Sequence, residues 1–541
     1  MRNESLCNAA RSLLPLVIML LTATRVTAQT YAATADYAPL EAERQLAFPT
    51  ARGFGKFATG GRGCKVVEVT NLDDSGTGSL RWALTEAGRE NAVIVFRVSG
   101  IIDIGPNPQK KNERAIRAKL RNVTIAGQTA PGQGILLRGG KLNLGGSENV
   151  IIRNLRSRLG TLDLPADTSL TPEQMKKKRY IEGGSIGIEN SRNIIIDHCC
   201  FGWSGEENMT IYDNHFTTVQ WCIVHEGLHD AGHKKGVRGY GCQWGGSPAT
   251  FHHNLLAHND SRSPRINGAS NPQGDRNVFL EYQNNVNYNW GRQNSCYGGE
   301  SEAGDYSSHE CNFIGNYYKP GPARRQNSYF VEISPARKGK TLNRPSKWFF
   351  RDNIMEGDSN ANDDNWTAVN NRTGFPLQTL KAETIIYPSA KYEREPSATF
   401  ISYDVYRTPA ETALDAYRHV IEKAGTIRRD AVEQRIIADV TSGNAKYKGQ
   451  TAGKDGIIDT PDDAEGYQPY TAATPYPDND HDGMDDQWER AHGLNPSDPS
   501  DGAQQVTNSG YTALDVFLCE LMGEHIAMNK TLLTKSKQHK H

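Results

Sequence analysis

The chain has 541 residues, enough for one large domain with an appended unit. Its 61 lysines and arginines are balanced by 62 aspartates and glutamates, so the formal net charge is −1. This balance excludes a protein that binds nucleic acid through bulk positive charge, and any recognition of an anion must be local.

The N-terminus has the pattern of a secretory signal. Arg2 and Arg11 precede an apolar run from Leu13 to Ala23, and the motif "VTA" ends at Ala28. The run is too short to span a bilayer comfortably. We therefore predict cleavage after Ala28, no membrane span, and a mature protein that is secreted to the periplasm or the exterior.

A repeat of nine-residue, β-rich segments occupies the middle of the chain, between residues 150 and 357. In a right-handed parallel β-helix, each coil adds a strand about 4.8 Å from the last, so equivalent positions stack. A column of Asn can then hydrogen-bond from coil to coil, and adjacent Cys would stack on each other. A β-sandwich is the alternative, but it gives no reason for a fixed column. The fifth positions of the segments are Asn154, Cys199, Cys222, Asn254, Asn285, Asn316 and Asn353.

Stacking of coils turns distant sequence positions into neighbours. Glu206 and Glu207, then Lys235, then Arg262 follow the repeat positions of three consecutive coils, and Asp197 precedes the first of them. The three acids suit a hard cation such as Ca²⁺, and the two basic residues suit an anionic substrate. We expect these groups to face each other across a gap on the order of 10 Å. The pattern indicates a groove for an acidic polysaccharide.

The segment "AHNDSRSPRIN", residues 257–267, contains two arginines in a rigid turn. Arg262 and Arg265 stand either side of Ser263 and Pro264, and proline fixes the backbone there. This turn predicts two guanidinium groups held side by side for a local anion. The plainer interpretation is a loop staple between Arg262 and Asp260, and the convergence with the acids favours a site.

Five segments resemble a known family. "NIIIDHCCFGWSGEENMTI", "GHKKGVRGYG" and "TFHHNLLAHNDSRSPRI", together with the opening "FPTARGFGKFATGGRGCKVVEVTNLDDSGTGSLRWAL" and "NVTIAGQTAPGQGI", are similar to the pectate lyases of polysaccharide lyase family 1. The likeness covers roughly residues 45 to 370. It implies calcium-dependent β-elimination on α-1,4-linked polygalacturonate, with pectin as the natural source and 4,5-unsaturated products.

The resemblance also implies roles for individual residues. Arg262 matches the base that removes the C5 proton, and Lys235, with Lys234 as the alternative, matches the lysine that neutralises the carboxylate. Asp197 matches a calcium ligand, and Glu206 or Glu207 matches a second one. Substrate-binding roles fall to Arg265, Lys234 and His229. A polygalacturonase-type hydrolase, which needs paired carboxylates, and a non-catalytic polysaccharide-binding β-helix are the alternatives.

The tail is predicted to be different in kind. We assign residues 1–28 to the signal, 29–385 to the β-helix, 386–470 to a helical extension packed on it, and 471–541 to a calcium loop with a C-terminal helix. "TPAETALDAYRHVIEKAG" and "RRDAVEQRIIADVTSG" read as amphipathic helices. "DNDHDGMDDQWE" matches an EF-hand loop and predicts a structural Ca²⁺. Its predicted metal ligands are Asp478, Asp480, Asp482, Asp486 and Glu489. We also expect the protein to be a monomer.

Overall fold

The computed structural model describes residues 45–107, 113–267, 278–300, 309–324, 328–342, 344–388, 403–529 and 531–532, and the predicted signal segment lies outside them. Short strands run from Lys65 to Asn371 and form three sheets, in which every strand pairs in parallel with those of neighbouring coils. The all-β architecture is therefore a parallel β-helix, as the repeat predicts.

The three sheets are named here A, B and C. Sheet A contains Lys65–Val69, Glu90–Phe96, Arg121–Ala126, Glu148–Arg153, Arg192–Asp197, His215–Gln220, Ala249–His252, Val278–Gln283, His309–Ile314 and Lys347–Arg351. Sheet B contains Gly100–Asp103, Ile135–Arg138, Arg156–Arg158, Cys200–Gly202, Ile223–His225, Leu255–Ala257, Val286–Tyr288, Tyr317–Lys319 and Ile354–Met355. Sheet C contains Ala115–Arg117, Lys141–Asn143, Ile186–Glu189, Glu207–Tyr212, Tyr240–Trp244, Arg265–Ile266, Asn294–Gly298, Tyr329–Ile333 and Val369–Asn371.

Helical segments lie before, between and after the coils. The α-helices are Leu80–Trp82, Pro172–Arg179, Ser359–Asp363, Leu377–Leu380, Tyr403–Tyr406, Ala413–Lys423, Ala431–Ser442, Asp486–His492 and Ala513–Glu520. A π-helical turn covers Ala83–Ala87, and 3-10 turns cover Gly127–Thr129, Asn365–Ala368 and Pro461–Ala464. None of the helices in the described ranges is both long and apolar enough to span a membrane.

The predicted Asn column lies at the turn from sheet A to sheet B. Asn254 donates through Nδ2 to Oδ1 of Asn285 at 3.0 Å, Asn285 to Asn316 at 3.1 Å, and Asn316 to Asn353 at 2.8 Å. Each amide also donates to a strand carbonyl, which satisfies buried backbone groups that the turn leaves free. The column thus fastens consecutive coils at one corner.

The first repeat is out of register by one residue. Asp197 pairs with Arg153, so the residue equivalent to Cys199 is Leu155 and not Asn154 as the alignment predicts. Asn154 has φ +59°, the left-handed conformation that His198 adopts in the next coil, with φ +49°. Asparagine tolerates this conformation better than most residues, and that is why it stands there.

The interior of the β-helix is a stack of apolar side chains. A buried column in sheet A begins with aliphatic residues and becomes aromatic, with ring centroids 4.9 Å apart for Tyr282 and Phe313 and 5.3 Å apart for Phe313 and Phe350. Stacking of like residues on successive strands buries apolar area continuously. The column is Val67, Ile94, Ile125, Ile152, Ile196, Val219, Phe251, Tyr282, Phe313 and Phe350.

Chain segments outside the coils cover sheets A and B. Residues 45–64 cross sheet A, where a Cβ on Gly55 would lie 2.2 Å from the carbonyl of Ile194, so glycine is required for this close approach. The helices Ala413–Lys423 and Ala431–Ser442, which lie within the two predicted helical segments, pack on sheet B. On sheet C, by contrast, the outward side chains Thr210, Gln243, Arg265 and Tyr297 stay half-exposed.

Candidate active site

Arg262 stands at the edge of sheet C, in the turn that the sequence singled out. Ser261 makes a parallel bridge with Tyr240, and Tyr240 pairs with Glu207 on the next coil. Arg262 itself has φ +64°, a left-handed conformation that directs the chain toward Pro264 and the strand Arg265–Ile266. Its guanidinium carbon lies 4.0 Å from the ring centroid of Tyr240. The side chain is 16% exposed.

Arg262 and Glu207 form a direct ion pair. Nη1 of Arg262 donates to Oε1 of Glu207, and it also lies 3.5 Å from Oε1 of Gln243. Arg262 and Glu207 thus lie at one edge of sheet C, but in direct contact and not across the expected gap of about 10 Å. The backbones are two coils apart, and the arginine side chain is long enough to span that distance across Tyr240.

A second guanidinium lies beside the first. Arg265 begins a sheet C strand that pairs with Gln243 on one side and Tyr297 on the other, and its Nη2 lies 3.0 Å from Oε1 of Glu300. Burial first, and then the positive charge of Arg265, lower the pKa of Arg262, while Tyr297 acts in the opposite direction. The turn therefore holds two arginines side by side, each with its own acid partner, Glu207 for Arg262 and Glu300 for Arg265.

Asp260 does not staple Arg262. Its buried carboxylate accepts from Nε of Arg292 at 2.9 Å and from Nζ of Lys454 at 2.7 Å, which leaves Arg262 to Glu207. Arg292 keeps half of its side chain exposed. Arg292 thus adds a third guanidinium to this surface.

Sequence reasoning missed several residues of this surface. Arg292, Gln243, Tyr297 and Glu300 belong to strands or turns that the repeat alignment did not reach, because the alignment followed sheet A into sheet B. Thr210, Gln243, Arg265 and Tyr297 form one row across sheet C, and a second alignment of sheet C segments could have found it.

Glu206 is engaged by a histidine. Its Oε1 lies 2.9 Å from Nε2 of His233, and Nδ1 of His233 accepts the backbone N–H of Lys235 at 2.9 Å. Since Nδ1 accepts, the proton of a neutral ring is on Nε2, which donates to Glu206. Glu206 therefore anchors the loop that carries Lys234 and Lys235.

The predicted lysines do not lie against the arginines. Lys234 and Lys235 are exposed, and Lys234 Nζ is 3.9 Å from Oε1 of Glu182. His229, the other predicted substrate contact in this loop, is mostly buried, with its backbone N–H donated to the carbonyl of Ile458. The structure brings none of these three side chains into contact with Arg262 or Glu207 within the described ranges.

Asp197 lies in a different part of the molecule from the two glutamates. It ends a strand of sheet A, and the short sheet B strand Cys200–Gly202 separates it from Glu206. Its fully buried carboxylate accepts from Nε of Arg153 and Nε2 of Gln220, both at 2.8 Å. Burial would raise its pKa, but His198 and Arg153 hold the pKa below its usual range. The prediction that Asp197 joins the acids of the site is wrong.

The three acids that were expected to share one cation therefore pair with three different partners: Asp197 with Arg153, Glu206 with His233 and Glu207 with Arg262. Groups of three clustered metal-ligating side chains occur, within the described residues, only in the tail. This edge of sheet C is consequently built around arginines and does not contain a preformed oxygen cage for a divalent ion.

Aromatic side chains near the site divide into core and surface. Trp203 and Trp244 are fully buried and present no ring face to a sugar. Tyr240 is half-exposed and lies between Arg262 and Arg238, whose Nη1 is 3.2 Å from its hydroxyl. Of the three, only Tyr240 offers a ring at this surface.

The tail acids gather as two overlapping groups. Asp478, Asp480 and Asp482 form one, and Asp482, Glu489 and Asp501 form the other. Asp486, a predicted ligand, is in neither, because its two carboxylate oxygens accept the backbone and side-chain N–H groups of Asn479. Asp501 was not predicted, since it lies beyond the twelve-residue loop pattern.

Comparison with known proteins identifies fungal relatives. A probable pectate lyase C of Emericella nidulans is 30% identical over 492 residues, covering 90% of this chain and 95% of that protein. A probable pectate lyase C of Aspergillus flavus is 30% identical over 487 residues, covering 88% and 94%. Both alignments are longer than the strand-bearing region Lys65–Asn371, so they extend into the segments that cover the coils. No family model matches the chain.

Solved structures give more distant matches. The major allergen of cedar pollen is 16% identical, with a TM-score of 0.44, and the match covers 70% of this chain and 93% of that one. A thermostable pectate lyase is also 16% identical with a TM-score of 0.44, covering 72% of this chain and 100% of that one. The fold is established by the three parallel sheets of this chain.

Proposed function

This chain belongs to the pectate lyase family, and we propose that it cleaves α-1,4-linked polygalacturonate by β-elimination, giving 4,5-unsaturated oligogalacturonides. The observation that carries the proposal is the buried guanidinium of Arg262 at the accessible edge of sheet C, with a pKa lowered by burial and by Arg265. Burial and Arg265 favour the neutral form that a base requires, and the ion pair with Glu207 opposes them.

In the proposed reaction Arg262 takes the C5 proton of a galacturonate residue. The electron pair of the C5–H bond forms the C4=C5 double bond, the C4–O4 bond breaks, and the leaving oxygen is protonated from solvent. A positioned base contributes about 10²- to 10⁴-fold to such a step. Glu207 holds the Arg262 guanidinium in place over Tyr240 before the substrate arrives.

Arg265 is proposed to bind the C6 carboxylate of the same residue. Its planar guanidinium matches a carboxylate, and negative charge grows on that carboxylate as the C5 proton leaves. Substrate would take the place that Glu300 holds at 3.0 Å. Lys235, with Lys234, is proposed to contact a neighbouring galacturonate from its exposed loop, and this role is separate from the step at C5.

Calcium is the cofactor that the family resemblance implies for the reaction, but the acids at this edge do not fit it. Of the three acids predicted as ligands, Glu206 and Glu207 lie at this edge, and each pairs with a basic side chain. Ca²⁺ requires six to eight oxygens. We therefore assign the catalytic step to the arginines, and propose calcium for the tail, as argued below.

The proposed setting is outside the cytoplasm, where an acidic plant polysaccharide is available. The signal pattern in residues 1–28 supports export. A monomer that exposes the outward face of sheet C is sufficient for this activity.

Ultraviolet absorbance of polygalacturonate incubated with the mature protein at alkaline pH tests the proposal. Absorbance of the C4=C5 unsaturated uronide should rise with wild-type protein and fall at least about 10²-fold in rate with Arg262→Ala. Lys340→Ala, an exposed residue remote from the site in sequence, is the control. Saturated fragments would instead identify a hydrolase, and binding without turnover would identify a polysaccharide-binding protein.

A further inference from the structure

We propose that the loop 478–489 together with Asp501 binds one Ca²⁺, and that this ion fastens the C-terminal unit to the first coils of the β-helix. The C-terminal unit is defined as residues 471–529. The proposal differs from the sequence pattern in its ligands, because Asp501 takes the place of Asp486. It does not depend on the lyase reaction, which is assigned to sheet C.

The ligand atoms are already clustered. One oxygen from each of Asp482, Glu489 and Asp501 lies within 4.8 Å of the others, and the same holds for Asp478, Asp480 and Asp482. Asp482 belongs to both groups and so joins them into one. Ligands supplied only by oxygen, in irregular geometry, suit Ca²⁺ better than Mg²⁺, which demands a near-ideal octahedron.

Several of these carboxylate oxygens are buried without a hydrogen-bond partner in the described part of the chain. Glu489 is 0% exposed and Asp482 is 3% exposed. Both Oε atoms of Glu489, Oδ2 of Asp482 and both Oδ atoms of Asp480 are buried without a hydrogen-bond partner among the described residues. Buried carboxylate oxygens without partners are costly, and a cation bound between them removes that cost.

The same shortage of positive charge is visible in the ion pairs around this cluster. One charge is already compensated, since Nη1 of Arg97 lies 3.6 Å from Oδ2 of Asp478. Within the described residues, no ion pair reaches Asp480, Asp482 or Glu489, and a divalent ion would supply their counter-charge.

The loop is preshaped for the ion. Gly483 has φ +90°, which allows the sharp bend, and Asp478 accepts the backbone N–H groups of Asp482 at 3.2 Å and Gly483 at 3.1 Å. The helix Asp486–His492 then carries Glu489 back to the loop. Asp501 is held by the backbone N–H of Asn495 at 2.8 Å, which ties the next turn of chain to the same point.

The loop rests on the first two strands of sheet A. Met484 is fully buried against a cluster that contains Val93, Val95, Leu514 and Phe517. Arg97, which follows the second strand, stacks 4.6 Å from the ring centroid of Tyr476. The ion would therefore fix the point at which the C-terminal unit meets the β-helix.

Further contacts connect the two parts next to the loop. Nε of Arg97 lies 3.3 Å from Oε1 of Glu68, and His481 Nδ1 lies 3.0 Å from Oε2 of the same Glu68. Glu68 belongs to the first strand of sheet A. Without the ion the loop carboxylates would repel each other at this junction, so the C-terminal unit would pack less stably on the β-helix.

Calorimetric titration with CaCl₂, and thermal unfolding with CaCl₂, MgCl₂ or chelator, test the proposal on the mature protein. We expect one Ca²⁺ per chain and a melting temperature that rises with Ca²⁺ concentration, as binding to the folded state requires. Glu489→Gln and Asp501→Asn should each weaken Ca²⁺ affinity about tenfold or more, because each removes a charged ligand. Asp486→Asn is the matched control and should keep the affinity within about threefold.

The outcomes separate the alternatives. The proposal would be overturned if wild-type protein bound no Ca²⁺ or bound Mg²⁺ equally well. It would also be overturned if Asp486→Asn lost Ca²⁺ binding while Asp501→Asn kept it. Glu489→Gln also removes a repelling charge, so without Ca²⁺ it should melt at or above the wild-type temperature. A melting temperature of Glu489→Gln below that of wild-type protein in chelator would contradict this repulsion.

Discussion

Glu207 and Arg262 are joined by an ion pair that spans two coils of sheet C, from the start of the strand Glu207–Tyr212 to the turn after Ser261. The pair crosses the ring of Tyr240, which lies on the coil between them. It places the negative charge of Glu207 beside the guanidinium proposed as the base, and this charge favours the protonated form of Arg262. Under the proposed mechanism, the pair sets how alkaline the solution must be for catalysis.

Glu207→Gln should move the alkaline rise of kcat/KM to lower pH. The substitution removes an anion from the guanidinium, so the pKa of Arg262 falls and its neutral form appears earlier as pH increases. An opposite charge at this range is worth about one to three pH units. The pH profile of unsaturated product formation measures the shift, and an unchanged midpoint would contradict Arg262 as the base.

Arg265→Gln should move the same midpoint in the opposite direction. Arg265 lowers the pKa of Arg262, so its removal raises that pKa and delays the neutral form to higher pH. KM for polygalacturonate should increase as well, because a carboxylate contact is lost. Lys235→Ala is the control: it should raise KM and leave the midpoint in place. A midpoint shift in Lys235→Ala would mean that this lysine does reach the base.

Asn285→Ala should destabilise the β-helix. Asn285 accepts the backbone and side-chain N–H groups of Asn254 and donates to Asn316 and Phe251, so its loss leaves buried donors and acceptors unpaired. The expected cost is roughly 2–4 kcal/mol in the free energy of unfolding. Urea denaturation followed by circular dichroism measures it. Asn360→Ala, at an exposed position, provides the comparison. Equally small effects of both substitutions would refute a stabilising contribution of the Asn column.

Glu281→Gln should stabilise the protein at alkaline pH. Glu281 is buried beside Tyr403 and Thr250, and burial raises its pKa to about 7. The pKa of this carboxyl is near 4.3 in the unfolded state and higher in the folded state. Its ionisation therefore lowers the free energy of unfolding as the pH rises from the unfolded pKa to the folded pKa. The gain should be on the order of 1–3 kcal/mol at pH 8 and absent at pH 4. Thermal unfolding at the two pH values decides it, and a gain at pH 4 alone would be contrary to this account.

The repeat could be recognised from sequence because its signal is local and recurrent. Strands of sheet A enter the turn to sheet B with the same residue types each time, so Asn254, Asn285, Asn316 and Asn353 align without a structure. The alignment failed at Asn154, where asparagine serves the left-handed turn and not the column. One residue type met two different physical needs, and composition could not separate them.

The arginine turn was also identifiable, and counting coils placed it at the same edge as Glu207 but not in contact with it. The partners of the remaining residues were not. Asp197 and Glu206 share a coil, yet a short sheet B strand carries the chain around a corner between them. Asp197 then meets Arg153, whose other carboxylate partner is Glu524, distant in sequence.

By itself, the sequence determined the parallel β-helix, the arginine pair at the turn and the acidic loop of the tail. Only the tertiary structure decided which acid meets which cation, that sheet C is the accessible face, and that Asp501 and not Asp486 joins the acidic cluster of the tail. The physical reason is the range, along the chain, of the interactions involved. Strand register and turn conformation depend on near neighbours, whereas charge pairing depends on where side chains end after distant coils and the C-terminal unit have packed together.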